Sequence, residues 1–178
     1  MKSLSYGLIL ISLVSIACKE DKNVKPTHNW TKQQSIQMNS GFSEEEEDAI
    51  NAYLKRRPDW KMTKTGTGLR YFIYNKSESK DSVFVGDQVV VSFSISLLDG
   101  TECYNSSKKG PETFVVDKTD IESGLHEAIK YLKLGDKARL ILPSHLAHGL
   151  IGDQDKIPPL ETVVYDIHLL NIISKDEN

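Results

Sequence analysis

The chain has 178 residues, of which 39% are hydrophobic and 26% charged, and its formal net charge is −3 at pH 7. This length fits one domain with appendages, and the composition excludes a collagen-like, disulfide-framed or wholly disordered chain. Because the 22 Lys and Arg residues are spread along the sequence, no basic surface for nucleic acid is predicted. The sequence contains no phosphate loop or nucleotide fingerprint, and we predict no cofactor and no metal.

The N-terminal segment, residues 1–17, has the pattern of an export signal. Lys2 supplies a positive start, and the apolar stretch from Leu4 to Ala17 fits the h-region of a signal peptide, about 7–15 residues. It is shorter than a membrane-spanning helix, which takes about 20 residues. The run Ser15-Ile16-Ala17-Cys18 resembles a bacterial lipobox, which predicts cleavage before Cys18 and its acylation. A plain secretory signal cut after Ala17 is the alternative.

Residues 18–41 are polar and carry few apolar side chains. Such a segment cannot bury enough surface to offset the entropy of ordering, so we predict a flexible, lipid-anchored tether. Residues 175–178 are a short polar tail. We therefore expect an exported protein held at the bacterial cell envelope. The resemblance to lipoproteins favours the outer membrane over the inner one, because Lys19 rather than Asp follows Cys18, and it favours the periplasmic face over the cell surface.

Residues 42–80 are predicted to form a helical extension and a first strand. The helix should run from Ser43 to Arg57, with Ser43 as N-cap, Glu46 completing a capping box and Pro58 ending it. Its apolar residues form a narrow stripe that should pack on a neighbouring element. Its acidic run from Glu44 to Asp48 is interpreted as a solvated face matched to the helix dipole, with a partner site as the alternative.

Residues 81–174 are predicted to form the main domain, with an α+β fold in which a curved antiparallel β-sheet wraps around one α-helix. The helix should span Ile121 to Leu134, and strands are expected at Phe114–Val116, Ala138–Leu142 and Thr162–Ile172. The clearest strand carries apolar residues that alternate with polar ones: Val89, Val91, Phe93, Ile95 and Leu97.

A series of short motifs runs in a fixed order through the domain. The motifs are Gly86-Asp87, Asp99-Gly100, Asn105-Ser106-Ser107, Gly124-Leu125, Leu134-Gly135-Asp136, Ala147-His148-Gly149, Ile157-Pro158-Pro159 and Tyr165. Taken together, they resemble the FKBP-type peptidyl-prolyl cis-trans isomerases over about Asp81 to Ile173. The lipid anchor, the helical extension and the run that starts at Pro143 are similar to the gliding-motility-associated isomerase lipoproteins.

The chemistry of such an isomerase explains the residue types that the resemblance implies. An amide C–N bond has a rotation barrier of about 18–20 kcal/mol. The twisted transition state has lost its resonance and is less polar than the planar amide, so a dry apolar cradle favours it without a nucleophile, metal or general base.

The resemblance implies a substrate site formed by Phe93, Tyr104, Asn105, Glu122, Leu125, His148, Ile157 and Tyr165. In that arrangement the backbone amide of Glu122 contacts a substrate carbonyl, and His148 offers a polar group at the rim. Ordinary core packing is the alternative for Phe93, Leu125 and Tyr165, since their periodicity alone places them inside.

Several positions depart from the family pattern and bear on activity. Asn105 stands where Asp is usual, His148 replaces a usual Tyr, and Glu122 falls where apolar side chains often line the rim. The segment from Gly100 to Tyr104 is one residue longer than in that pattern, so Cys103 is an alternative residue for the pocket.

Two functions follow from this resemblance. The first is a peptidyl-prolyl cis-trans isomerase that assists the folding of exported or cell-envelope proteins, with a further implied link to gliding motility. Its partners would be proline-containing exported polypeptides and, through the lipid anchor, the membrane. The alternative is a peptide-binding or chaperone module that keeps the fold and has little or no turnover. A metal site built from His145, His148, Asp153 and Asp155 is a further alternative that spacing alone allows.

Overall fold

The computed structural model describes residues 32–175, with residues 33–40 described by their backbone only. The predicted signal peptide, the acylation of Cys18 and most of the predicted tether lie outside the described residues. Within residues 32–175, no helix has both the length and the apolar content that crossing a membrane requires.

The described chain forms an antiparallel sheet of seven strands with a few helices. The sheet order is β1-β2-β6-β7-β3-β4, and β5 pairs with β3 beside β4. The elements in chain order are α1 (Lys32–Lys55), β1 (Thr63–Lys64), β2 (Arg70–Asn75), β3 (Gln88–Leu97), β4 (Glu102–Asn105), α2 (Ser106–Lys109), β5 (Glu112–Val115), α3 (Ser123–Ile129), β6 (Lys137–Leu142), two 3₁₀ turns (Ser144–Leu146 and Gly149–Ile151) and β7 (Val163–Ile173).

The inner face of the sheet packs around α3, as predicted. Leu125, Ile129 and Leu132 are each at most 5% exposed and lie in one cluster with the inward residues of the sheet. The strand positions in this cluster alternate along the chain, which is the period-two pattern of the sequence. They include Val89, Val91, Ile95, Leu140, Leu142, Tyr165 and Ile167. The predicted α+β fold is therefore confirmed.

The helix α3 is shorter than predicted. It begins at Ser123 and ends at Ile129, and the next residues continue in tight turns, with N–H donation from Tyr131 to Ala128 and from Leu132 to Ile129. These i→i+3 bonds tighten the chain beyond an α-helix while Leu132 stays buried. The hydrophobic periodicity of the sequence does not distinguish an α-helix from an α-helix followed by such turns.

The N-terminal helix covers the outer face of the sheet. Ile50 and Tyr53 are buried against Ile141 of β6 and Val164 of β7, the positions that alternate with the inward-facing ones. The predicted apolar stripe is thus confirmed as a packing surface. Two strands, β6 and β7, consequently have a covered face on each side of the sheet.

The start of α1 and its acidic run differ from the prediction. The helix begins at Lys32 rather than Ser43, so residues 32–41 of the predicted tether are helical; Lys, Gln and Met in this segment favour a helix. Ser43 is therefore no N-cap, and no capping box forms. The side chains of Glu46 and Glu47 are half-buried and hydrogen-bonded to the domain rather than fully solvated.

Candidate functional site

A cleft of about 670 Å³ opens on the inner side of the sheet, between β3, β4, the start of α3 and a segment that we call the cleft loop, residues 143–162. This volume lies within the range of about 300–1,000 Å³ that small-ligand sites occupy. The cleft loop follows β6 and precedes β7, so its two ends are fixed by neighbouring strands of the sheet. The cleft is the place where seven of the eight predicted site residues meet.

Two aromatic rings, Phe93 and Tyr165, form one wall of the cleft. Strands β3 and β7 pair so that Phe93 stands opposite Ile167 and Ile95 opposite Tyr165, which sets the two rings diagonally on the same face of the sheet. Their centroids are 6.0 Å apart with planes tilted by 51°. Tyr165 is 2% exposed, so these residues serve both the core and the cleft.

Tyr104 and Cys103 both line the cleft, which resolves the choice that the sequence left open. In the pairing of β3 with β4, Ile95 faces Tyr104 but Ser96 faces Glu102, so a bulge accommodates the extra residue, Cys103. A bulge turns two consecutive side chains away from strict alternation. Burial raises the pKa of the Cys103 thiol, and the nearby carboxylate of Asp153 adds to this.

Leu125 forms the floor of the cleft and is 5% exposed. The preceding residue, Gly124, explains how α3 comes so close to the sheet. A Cβ at this position would lie 2.7 Å from Cγ of Leu142 and 2.9 Å from Cβ of Leu146. Glycine is therefore required here for a close approach, and the motif Gly124-Leu125 has a packing reason.

A polar cluster of Glu122, Tyr165 and His148 occupies one side of the cleft. The Tyr165 hydroxyl donates to Oε1 of Glu122 at 2.8 Å, and Nε2 of His148 lies 3.0 Å from the same oxygen. The side chains of Glu122 and His148 are 14% and 23% exposed. Burial raises the pKa of Tyr165 well above its ordinary value, and the charges of Glu122 and Glu112 raise it further. The carboxylate of Glu122 thus lies directly beside the aromatic wall of the cleft.

Asp153 organises the cleft loop, a role that the sequence analysis did not assign. Its Oδ1 accepts the N–H groups of Asp155, Lys156 and Ile157, and its Oδ2 accepts the hydroxyl of Tyr104. Burial alone would raise the pKa of Asp153, but these hydrogen bonds outweigh it and lower the pKa to about 2. The bond to Asp153 in turn raises the pKa of Tyr104.

The positions of Ile157 and of the Asn105 side chain differ from those expected of substrate-contacting residues. Ile157 is 2% exposed, belongs to the core and does not line the cleft. Asn105 lines the cleft but caps the short helix α2, since its Oδ1 accepts the N–H of Ser107 and its Nδ2 donates to Glu102. The side chain of Asn105 is thus held by the protein, because the Asn-Ser-Ser motif is a helix start.

The alternative of a metal site is not supported by the placement of its residues. His145 Nε2 contacts the carbonyl of Thr67, His148 pairs with Glu122, and Asp153 is bonded within its own loop. Among residues 32–175, no three His, Cys, Asp or Glu side chains come together as a possible metal site.

Comparison with known proteins places the chain in a family. The model of the FKBP-type peptidyl-prolyl cis-trans isomerases matches residues 80–170, just over half of the 178 residues and almost the whole segment that the sequence motifs delimit. The chain therefore belongs to the FKBP-type peptidyl-prolyl cis-trans isomerase family, and the predicted resemblance is confirmed.

Individual relatives agree with this assignment. The isomerase FkpA of Escherichia coli K12 is 38% identical over 112 residues, which cover 61% of this chain and 39% of FkpA. The FkpA of Buchnera aphidicola from Schizaphis graminum is 33% identical over 121 residues, or 67% of this chain and 47% of the relative. The macrophage infectivity potentiator of Trypanosoma cruzi is 29% identical, with 78% and 74% covered. The chain thus spans half or less of the length of these FkpA relatives.

A solved structure gives the same result for the fold. The crystal structure of FkpA from Escherichia coli superposes with a TM-score of 0.61 at 25% identity, covering 82% of this chain and 74% of that one. The covered share exceeds the family segment, residues 80–170, so the likeness extends beyond the isomerase domain itself.

Proposed function

We propose that this protein catalyses cis-trans isomerisation of X-Pro bonds in exported polypeptides. The observation that carries the proposal is the open cleft whose wall and floor are the rings of Phe93 and Tyr165 and the side chain of Leu125. These residues stand on paired strands and a packed helix, so the cradle is held in place without substrate. Tyr104, whose hydroxyl donates to Asp153, also lines the cleft.

The cleft suits the reaction because its aromatic and aliphatic surface solvates the twisted amide better than the planar amide, relative to water. A prolyl ring and a twisted amide entering the cleft would exchange water for aromatic and aliphatic surface, which favours the less polar transition state. Each tenfold acceleration requires about 1.4 kcal/mol of such preference. The backbone N–H of Glu122, at the start of α3, is our candidate donor to a substrate carbonyl.

The site of action is proposed from the N-terminal sequence. The signal-like segment and the lipobox-like run that ends at Cys18 support export and anchoring at the cell envelope through acyl chains. The clients would be proline-containing exported or envelope proteins. The resemblance to gliding-motility-associated lipoproteins makes motility components one group of clients to test.

The proposal is tested by a refolding assay in which proline isomerisation limits the rate. The full chain in mild detergent should accelerate the slow phase at micromolar concentration. Phe93→Leu removes a ring from the cradle and should reduce the acceleration by tenfold or more. Tyr131→Leu, which removes a 44% exposed ring outside the cleft, is the matched control and should keep it. No acceleration by the folded wild-type chain would refute the proposal.

A second function, binding of unfolded polypeptides with little turnover, is favoured by one observation. The carboxylate of Glu122 stands between Tyr165 and His148 within the cleft, where its charge makes the cradle more polar and so weakens the preference for the twisted amide. In the same assay, a chaperone module would suppress aggregation of the client without changing the rate constant of the slow phase.

A further inference from the structure

The side chain of Glu46 links the N-terminal helix to both ends of the cleft loop. Its Oε1 accepts the backbone N–H of Ser144 at 2.6 Å and the hydroxyl of Thr162 at 2.7 Å. Its Oε2 accepts the hydroxyl of Ser144 at 3.3 Å. One carboxylate on α1 therefore bridges two positions that are separated by most of the cleft loop.

The two bridged residues bracket the groups that this loop supplies to the cleft. Ser144 opens the 3₁₀ turn that leads through Leu146 to His148, and Thr162 directly precedes β7, which carries Tyr165. Ser144 is 7% exposed and Thr162 is 2% exposed, so both partners of the half-buried Glu46 are themselves buried. The loop between them also carries Asp153, which holds Tyr104.

The attachment of α1 to the sheet does not depend on Glu46 alone. The neighbouring Glu47 pairs with Arg70 of β2 at 2.6 Å and with Lys64 at 2.8 Å. Ile50 and Tyr53 pack against Ile141 and Val164 on the outer face. Docking of the helix thus has its own apolar and ionic contacts, whereas the three bonds of Glu46 all go to the ends of the cleft loop.

We propose that Glu46 is a positioning residue for the cleft: it fixes the base of the cleft loop and thereby sets the places of His148 and Asp153 relative to the aromatic wall. The catalytic part of this inference rests on the proposed isomerase function, and the geometric part does not. The proposal makes α1, which lies outside the family-matched segment 80–170, a part of the working site. Small displacements of positioned groups have large effects on rate, up to about a hundredfold for 1 Å.

The test compares four variants of the full chain. Glu46→Ala removes the clamp, and Glu46→Gln keeps an acceptor oxygen for the N–H of Ser144. Glu45→Ala is the control for an exposed neighbour on the same helix. Glu47→Ala is the control for weaker docking of α1, since it removes the partner of Arg70 without touching the cleft loop.

Hydrogen exchange and turnover are measured on each variant. In Glu46→Ala we expect the amides of Ser144, Leu146 and Ala147 to exchange at least tenfold faster, because local opening becomes easier, and kcat/KM to fall about tenfold. Glu46→Gln should recover most of both. Glu45→Ala should match the wild type, and Glu47→Ala should lower the melting temperature with no comparable change at these three amides.

Two results overturn the inference. One is unchanged exchange at the three amides in Glu46→Ala. The other is an effect in Glu47→Ala equal to that in Glu46→Ala, which would reduce Glu46 to a docking contact. If the wild type itself shows no turnover, the proposed isomerase function fails, while the exchange comparison still decides whether Glu46 positions the loop.

Discussion

The hydroxyl of Tyr165 donates to the carboxylate of Glu122 at 2.8 Å inside the cleft. The phenol and the carboxylate thereby satisfy each other beside the aromatic wall of the cleft, and His148 from the cleft loop contacts the same carboxylate oxygen. An unpaired buried hydroxyl or carboxylate costs about 1–3 kcal/mol or more. Removing Glu122 alone would leave the Tyr165 hydroxyl unsatisfied, whereas removing the hydroxyl alone leaves the carboxylate in contact with His148. The pair places a charge and a hydroxyl next to the aromatic wall of the cleft.

Replacing both members of the pair with apolar residues should raise activity. The double variant Glu122→Leu with Tyr165→Phe removes the carboxylate and the hydroxyl together and makes the cradle drier. We expect kcat/KM for a Leu-Pro peptide to rise several-fold. This rise corresponds to a barrier lowered by less than about 1.4 kcal/mol, the amount that gives a tenfold change. The single variant Tyr165→Phe is the control, because it leaves the carboxylate in place. A fall in kcat/KM of the stably folded double variant would contradict this view of the cluster.

Asp153 should make the free energy of unfolding depend on pH in the acidic range. Its folded-state pKa is lowered to about 2 from about 3.9 in an unfolded chain. Its stabilising contribution is therefore fully present above about pH 4 and is lost as the pH falls toward 2. The free energy of unfolding of the wild type should exceed that of Asp153→Asn at pH 6, and the difference should shrink between about pH 4 and 2. A difference that stays constant over this range would show that the carboxylate gains nothing from its bonds.

The packing of α3 and of the turns that follow it on the inner face predicts a large cost for truncating Leu132, which lies in these turns. This residue is 1% exposed and belongs to the inner cluster, so Leu132→Ala should lower the free energy of unfolding by about 2–5 kcal/mol in a urea titration. Leu170→Ala, at a position that is 37% exposed, serves as the control and should cost far less. Equal losses at the two positions would argue against the helix-on-sheet core.

The anchoring proposal predicts that Cys18→Ala changes processing and location. The wild-type protein should incorporate labelled fatty acid and fractionate with membranes, because two or more acyl chains on Cys18 would give stable attachment. The variant should lack the label and be released or remain unprocessed. Fatty acid incorporation that persists in Cys18→Ala, or identical fractionation of the two proteins, would remove the lipoprotein interpretation.

Much of the sheet could be predicted because the alternation of apolar and polar residues within a single strand shows which residues face inward. The alternation of apolar and polar residues in β3 and β7 predicts that Phe93 and Tyr165 lie on the inner face, and the motif series predicts that Tyr104, Leu125 and His148 share one cleft. The inward position of Cys103 together with Tyr104 could not be predicted, since a bulge depends on the register with the partner strand.

The sequence-based interpretation of the acidic run failed for a related reason. Glu46 stands three residues after Ser43, so a local pattern pointed to a capping box. Its actual partners, Ser144 and Thr162, lie 98 and 116 residues away in sequence. Likewise, Asp153 contacts Tyr104 across 49 residues, and only the folded sheet brings these positions together.

Whether the cleft accelerates rotation about a prolyl bond is tested most directly by observing that rotation at equilibrium. NMR exchange spectroscopy on a short Leu-Pro peptide measures interconversion of the cis and trans forms without any folding step. We expect substoichiometric full chain to raise the exchange rate well above the uncatalysed rate, which corresponds to tens to hundreds of seconds, and Phe93→Leu to abolish most of the increase. An exchange rate unchanged by folded wild-type protein, even where the peptide binds in the cleft, would contradict the proposed isomerase activity.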